Sequence, residues 1–148
     1  MPERETLERA AKDKAEGKSP STQAGEFVHE EIEHIREGKH GARSAKQAIA
    51  IGLSKARRAG VKLPPPKKGE ASRETREQAK RDVKKGRKAA KKKPSAKRSR
   101  ATLTALKREG RSAASETALS RQAHKAAAKR SAAARSRSAK KAAKTRKK

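Results

Sequence analysis

Large apolar side chains are scarce in this chain and gather in one stretch. Phe27, Val28, Ile32, Ile35, Ile49, Ile51, Leu53, Val61 and Leu63 all fall between residues 27 and 63. Ala24, Phe27, Val28, Ile32 and Ile35 recur at helical spacing, which predicts a helix from about residue 22 to 37, stopped by Gly38. Glu31 is a misfit in that stripe. A further helix is predicted to open at Ser44, where Gln47 completes a capping box, and to end at Gly60 with Pro64 beyond. On it Ala45, Ala48, Ile49, Gly52, Leu53 and Ala56 share a face, and Gly52 permits a close approach. Ile51 points away from that face, towards the first helix, a second copy or solvent. The short link "GKHGAR" suits antiparallel neighbours, so residues 19–63 are expected to form an αα-hairpin.

Outside that stretch the pattern weakens. Residues 1–18 hold a short helix, 2–16, with Pro2 in its first turn and Gly17 as its stop, and with Leu7 nearly alone it is expected to fray. The prolines of residues 64–69 favour an extended linker. Residues 70–93 read as a charged helix solvated on all sides, since Val83 is its lone large apolar residue. Residues 94–148 repeat Lys/Arg pairs, Ala runs and Ser, with weak helix signals at 99–110 and after Ser115. The expected fold class is mainly α without β-sheet: a small helical hairpin, three helices counting the N-terminal one, then a long basic tail that is disordered or transiently helical. Nine large side chains cannot order some forty residues by a wide margin, so the hairpin is expected to be marginal. A homodimer through residues 22–60, or a bound partner, would stabilise it.

Charge explains what the tail is for. The 148 residues contain 44 Lys plus Arg against 16 Asp plus Glu, a net charge of +28. By segment the balance is −4 for residues 1–37, +9 for 38–69, +4 for 70–88 and +19 for 89–148. Only 14 residues are Leu, Ile, Val or Phe, below the roughly 20% typical of folded chains. Cysteine is absent, so disulfides, thiolate metal sites and cysteine nucleophiles are excluded. No apolar run approaches membrane length, and "MPERETLERA" is charged where a signal peptide would be apolar, so a cytoplasmic, nucleoid location is expected.

A positive strand facing one phosphate per about 1.7 Å of duplex releases condensed counterions on contact, which gives binding without a pocket. The residues expected to carry it are Lys84, Lys85, Arg87, Lys88, Lys91, Lys92, Lys93, Lys97, Arg98, Arg100, Lys129, Arg130, Arg135, Arg137, Lys140, Lys141, Lys144, Arg146, Lys147 and Lys148. Secondary phosphate contacts are expected from Lys39, Arg43, Lys46, Arg57 and Arg58, with Lys55 on the same acid-free stretch. Neutralising phosphates would also permit a coil-to-helix change in the Ala-rich tail. The expected partner is DNA, chiefly duplex and read without sequence preference, with structured RNA as the alternative. Phe27 is the one aromatic residue, so stacking on single strands is disfavoured. The rival function is an interaction or stress protein, largely disordered, binding ribosomal RNA or acidic proteins.

Other motifs point nowhere stronger. "KKGRKAAKKKP" has the Gly-Arg pair of a minor-groove hook without the adjoining proline. In "HEEIEH", His29 and His34 are five residues apart and diverge by about 140° on a helix, so they do not share a metal, and His40 and His124 read as isolated and solvated. No cofactor, membrane partner or small-molecule substrate is expected, and catalysis is not, since so small a core encloses no preorganised site. Acidic residues 26–37 are expected to face away from DNA or to hold the chain's own tail.

The stretch "GKHGARSAKQAIAIGLSKARRAGVKLP", residues 38–64, resembles the core of a family of small basic bacterial proteins of unknown function that carry a comparable Lys-Gln-Ala-Ile-Ala-Ile helix. The resemblance implies a bacterial source and a nucleic-acid or plasmid-maintenance association, with no catalytic residues to carry over. The C-terminal "AKKAAKTRKK" is similar to the tails of histone H1-like bacterial proteins.

Overall fold

Two serines and two glycines frame the central helices. The computed structural model describes residues 1–87 and 95–146. It contains α1 (Arg4–Ala15), α2 (Pro20–Arg36), α3 (Ala45–Ala59), α4 (Arg73–Arg87), α5 (Ala96–Lys107), a 3-10 turn (Ser112–Ala114), α6 (Glu116–Ala128) and α7 (Ala132–Arg146). Among the described residues there is no strand, and Lys68 and Ala71 form an isolated bridge. α2 begins earlier than the apolar pattern predicts, because Ser19 Oγ accepts from the Thr22 N–H and Pro20 suits the first helical position. α3 begins as expected, with Ser44 Oγ accepting from the Gln47 N–H at 3.2 Å. Gly38 (φ 79°) and Gly60 (φ 101°) close the two helices in the left-handed region. At Gly38 the Lys39 N–H donates to the His34 carbonyl, which turns the chain towards α3.

The αα-hairpin forms, and Gly52 brings its helices together: a β-carbon there would lie 2.7 Å from Val28 Cα. α1 then packs on α2 and α4 on α3. α1 docks through buried Thr6, Ala10 and Asp13, leaving Leu7 exposed. α4 is not solvated on all sides: Ala79 and Asp82 are buried, and Asp82 accepts from the Ser54 hydroxyl at 2.6 Å and from Gln78 Nε2 at 3.1 Å. The prolines do not hold α4 away from the hairpin either. Val61 and Leu63 pack beside Phe27, Arg57 Nη2 donates to the Pro64 carbonyl at 3.3 Å, and the chain returns onto α3.

The expectation of a hairpin followed by a largely disordered or transiently helical tail is overturned. Residues 96–146 are mostly helical, and part of them completes the core. Ala113 and Ala114 are buried with Ile32, Ile35, Ala42 and Ala48, and Leu119 packs against them. The link before the turn is pinned as well: the Gly41 N–H donates to the Leu106 carbonyl at 2.9 Å and the Ala42 N–H to the Gly110 carbonyl at 3.1 Å. Beyond it, Ser115 Oγ caps α6 and Ser131 Oγ caps α7, each accepting a backbone N–H at 3.2 Å. Alanine, the best helix former, supplies the interior of both. The helix expected to appear only on phosphate binding is therefore already formed. Counting large side chains missed this because nine of the twelve buried apolar residues among those described are Ala. The hairpin's apolar faces are covered by α1, the 61–63 segment, the 3-10 turn and α6, all from within the chain.

Candidate nucleic-acid interface

Fourteen of the sixteen acidic residues precede residue 83 (10 + 0 + 4 over the first three segments), and the fold uses them there. Glu26 meets Arg9, Glu33 meets Arg36, and Glu37 meets Lys39. Glu30 and Glu31 are buried and share Lys55, whose Nζ is 3.1 Å from Glu30 Oε1 and 2.6 Å from Glu31 Oε2. Burial pushes the Glu30 carboxyl up, but the Thr6 hydroxyl, Lys55 and the Glu3 N–H outweigh it and hold the group below the ordinary carboxylate range. The acidic residues of α2 are thus engaged with Arg9, Lys55, Arg36 and Lys39 rather than standing as a surface for the basic tail.

Of the residues expected as secondary phosphate contacts, Arg57 is buried, while Lys39, Arg43, Lys46 and Arg58 are exposed. Burial lowers the pKa of Arg57, with Asp82 opposing. Arg58 bonds Ser54 Oγ at 3.0 Å and lies 3.5 Å from Asp82. Lys55 bridges two buried carboxylates. Lys39 sits between Glu37 and Glu3, which raise its pKa. Arg43, on the surface, is 3.4 Å from Glu109. Lys46 is exposed. At Gly86 a β-carbon would collide with the Arg57 carbonyl, so the missing side chain lets α4 approach the end of α3.

The primary residues are placed differently. Lys84, Lys85 and Arg87 occupy the last turn of α4; Lys97, Arg98 and Arg100 lie on α5; Lys129 and Arg130 sit at the α6–α7 junction; Arg135, Arg137, Lys140, Lys141, Lys144 and Arg146 lie on α7. All of these are exposed. Lys88, Lys91, Lys92, Lys93, Lys147 and Lys148 lie outside the described residues. Neither α5 nor α7 contains an acidic residue. On α7 the 100° helical step puts Arg137, Lys140, Lys141 and Lys144 along one side, a line of cations about 10 Å long. Among the described residues neither α5 nor α7 has an extensive helix partner, whereas α6 is held by α3 and the 3-10 turn. The residues are spread along exposed helices and not gathered into a pocket. The stripe follows from spacing alone; the burial of Arg57 and the pairing of Lys55 with Glu30 and Glu31 depend on packing.

No helix among the described residues is long and apolar enough to cross a membrane. These features define an all-helical protein with an internally paired body and a basic helical extension. Residues 13–68 match a family of unknown function (DUF6496), a span from the end of α1 to the residues after the prolines. It contains the whole "GKHGARSAKQAIAIGLSKARRAGVKLP" stretch. No curated protein and no solved structure matches the chain.

Proposed function

We propose that the protein binds nucleic acid without sequence preference, chiefly duplex DNA, by neutralising phosphates with the cations of α5, α7 and the end of α4. One observation carries this reading: the exposed, acid-free α5 and α7 belong to a segment of net charge +19, while fourteen of the sixteen acidic residues lie before residue 83. A helix stripe of Lys and Arg follows a line of phosphates through long, mobile side chains, which positions the protein but does not read base edges. The resemblance of the C-terminus to histone H1-like tails supports the same reading, as a nucleoid-associated role.

Mobility shifts with duplex DNA, structured RNA and an acidic protein, each titrated with salt, test it. If about ten phosphates are neutralised, log K for duplex falls with log salt at a slope near −9. Tighter binding to structured RNA would move the assignment to RNA, and preference for the acidic protein would replace it by an interaction role. Indifference to all three in dilute buffer would refute it.

A further inference from the structure

His40, which reads as isolated and solvated in the sequence, is folded against Glu31. Its side chain is 9% exposed and that of Glu31 1%. The Gly38 turn carries it there, and the bonds from Gly41 and Ala42 to Leu106 and Gly110 hold the loop in place. His40 Nδ1 lies 3.1 Å from the Gly41 carbonyl, which only accepts, so Nδ1 carries a proton. The other nitrogen, Nε2, is 3.1 Å from Glu31 Oε1, also an acceptor. Nε2 of His40 and Oε1 of Glu31 thus face each other in a buried site, an arrangement that a shared cation can bridge. His34 completes the group: its Nε2 donates to Glu3 Oε1 at 2.8 Å, and the two rings stand edge to face with centroids 6.1 Å apart. One ligand atom each from Glu31, His34 and His40 lies within 4.8 Å of the other two.

We propose that Glu31, His34 and His40 form a binding site for a transition-metal dication of the Zn²⁺ class. Two imidazoles and a carboxylate are the donors Zn²⁺ takes, whereas Mg²⁺ and Ca²⁺ prefer oxygen alone. Tetrahedral bonds of about 2.0–2.1 Å put neighbouring ligands roughly 3.3 Å apart, close to the Glu31–His40 separation. Each histidine also has its second nitrogen tied to an oxygen, Gly41 carbonyl for one and Glu3 for the other, the contacts that orient metal-bound imidazoles. Charge agrees. The buried carboxylates Glu30 and Glu31 contribute −2 and Lys55 +1, leaving a net negative charge beside His40 that a cation offsets. An open depression lined by Glu37, His40, Gly41, Lys107, Glu109 and Arg111 borders the loop that carries His40. The ion would join α2 to the loop that anchors the residues after α5, and through His34 and Glu3 it would tie down α1.

The full-length protein titrated with Zn²⁺ in a calorimeter tests this. One ion should bind per chain, and the melting temperature should rise by several degrees. His34→Ala and His40→Ala should each weaken binding by at least about tenfold, while His29→Ala and His124→Ala leave it unchanged. Because a variant at His40 can disturb the fold, the wild-type protein loaded with Co²⁺ provides an independent readout. The visible absorption of a four-coordinate ion should appear at one equivalent, with the ring signals of His34 and His40 shifted and those of His29 and His124 not. No binding, an unperturbed His34 and His40, or binding lost with His29 or His124 instead would overturn the site.

Discussion

Residues 1–87 and 95–146 are both helical, for different reasons. In the first region the helices are held by what they bury: Phe27, Ile32 and Ile35 meet small residues of α1 and α3, and charges inside are matched, Lys55 to Glu30 and Glu31, Asp82 to Ser54 and Gln78. In the second, α5 and α7 bury little; alanine content favours the helix in both, and Ser131 caps α7 while Ser95 makes no capping bond to α5. The turn at Ser112–Ala114 and α6 join the two by lending Ala113, Ala114 and Leu119 to the first region's core. The comparison teaches that the positive charge of this protein stays on the surface where packing makes no use of it. Where packing does use it, a lysine or arginine in a basic stretch is a structural residue.

The largest expected effect lies in the core. Phe27→Ala should cost about 3–5 kcal/mol, while Leu103→Ala on exposed α5 stays within about 0.5 kcal/mol, both read by urea unfolding. Similar losses from the two would erase the contrast between regions. Next is the stripe. Replacing Arg137, Lys140, Lys141 and Lys144 together by Gln should reduce the salt slope of duplex binding by about 3 to 4, at roughly 0.9 per phosphate, with the urea midpoint unmoved. A slope that stays the same would take α7 out of the interface.

Leu119→Ala sharpens the comparison at its seam. A half-buried leucine that joins the Ile32–Ile35 cluster should cost about 1–2 kcal/mol, measurably more than Leu103→Ala. Equal values would mean that the second region contributes nothing to the first. The mildest effect is that of acid. Glu30 is held below the ordinary carboxylate range in the folded state, so its contribution is complete above that range and fades as pH falls through it. The melting temperature should therefore drop between about pH 5 and pH 3, and Glu30→Gln should flatten that drop.

Helix boundaries were largely legible because they are local. Ser44, Gly38, Gly60 and Ser115 act within one turn of where they stand, and the structure puts a helix end at each. Gly52 was legible too, since a glycine on an apolar face has few other uses. What the letters hid were partners distant in the chain. Glu31 looked like an error in an apolar stripe until Lys55 and His40 were placed against it, 24 and 9 residues away. Ala113 and Ala114 resemble every other alanine of a low-complexity tail, and only their place beneath α2 marks them as core.

The sequence by itself determined the helical hairpin with its glycine stops and the gradient from an acid-bearing N-terminal part to a basic C-terminal one, because propensity, capping and formal charge are properties of residues and their near neighbours. The tertiary structure decided which charges face solvent, that the tail is helical and partly docked, and that Glu31, His34 and His40 meet. Burial and pairing depend on what is brought alongside, and in a core built mostly of alanine no single side chain announces it.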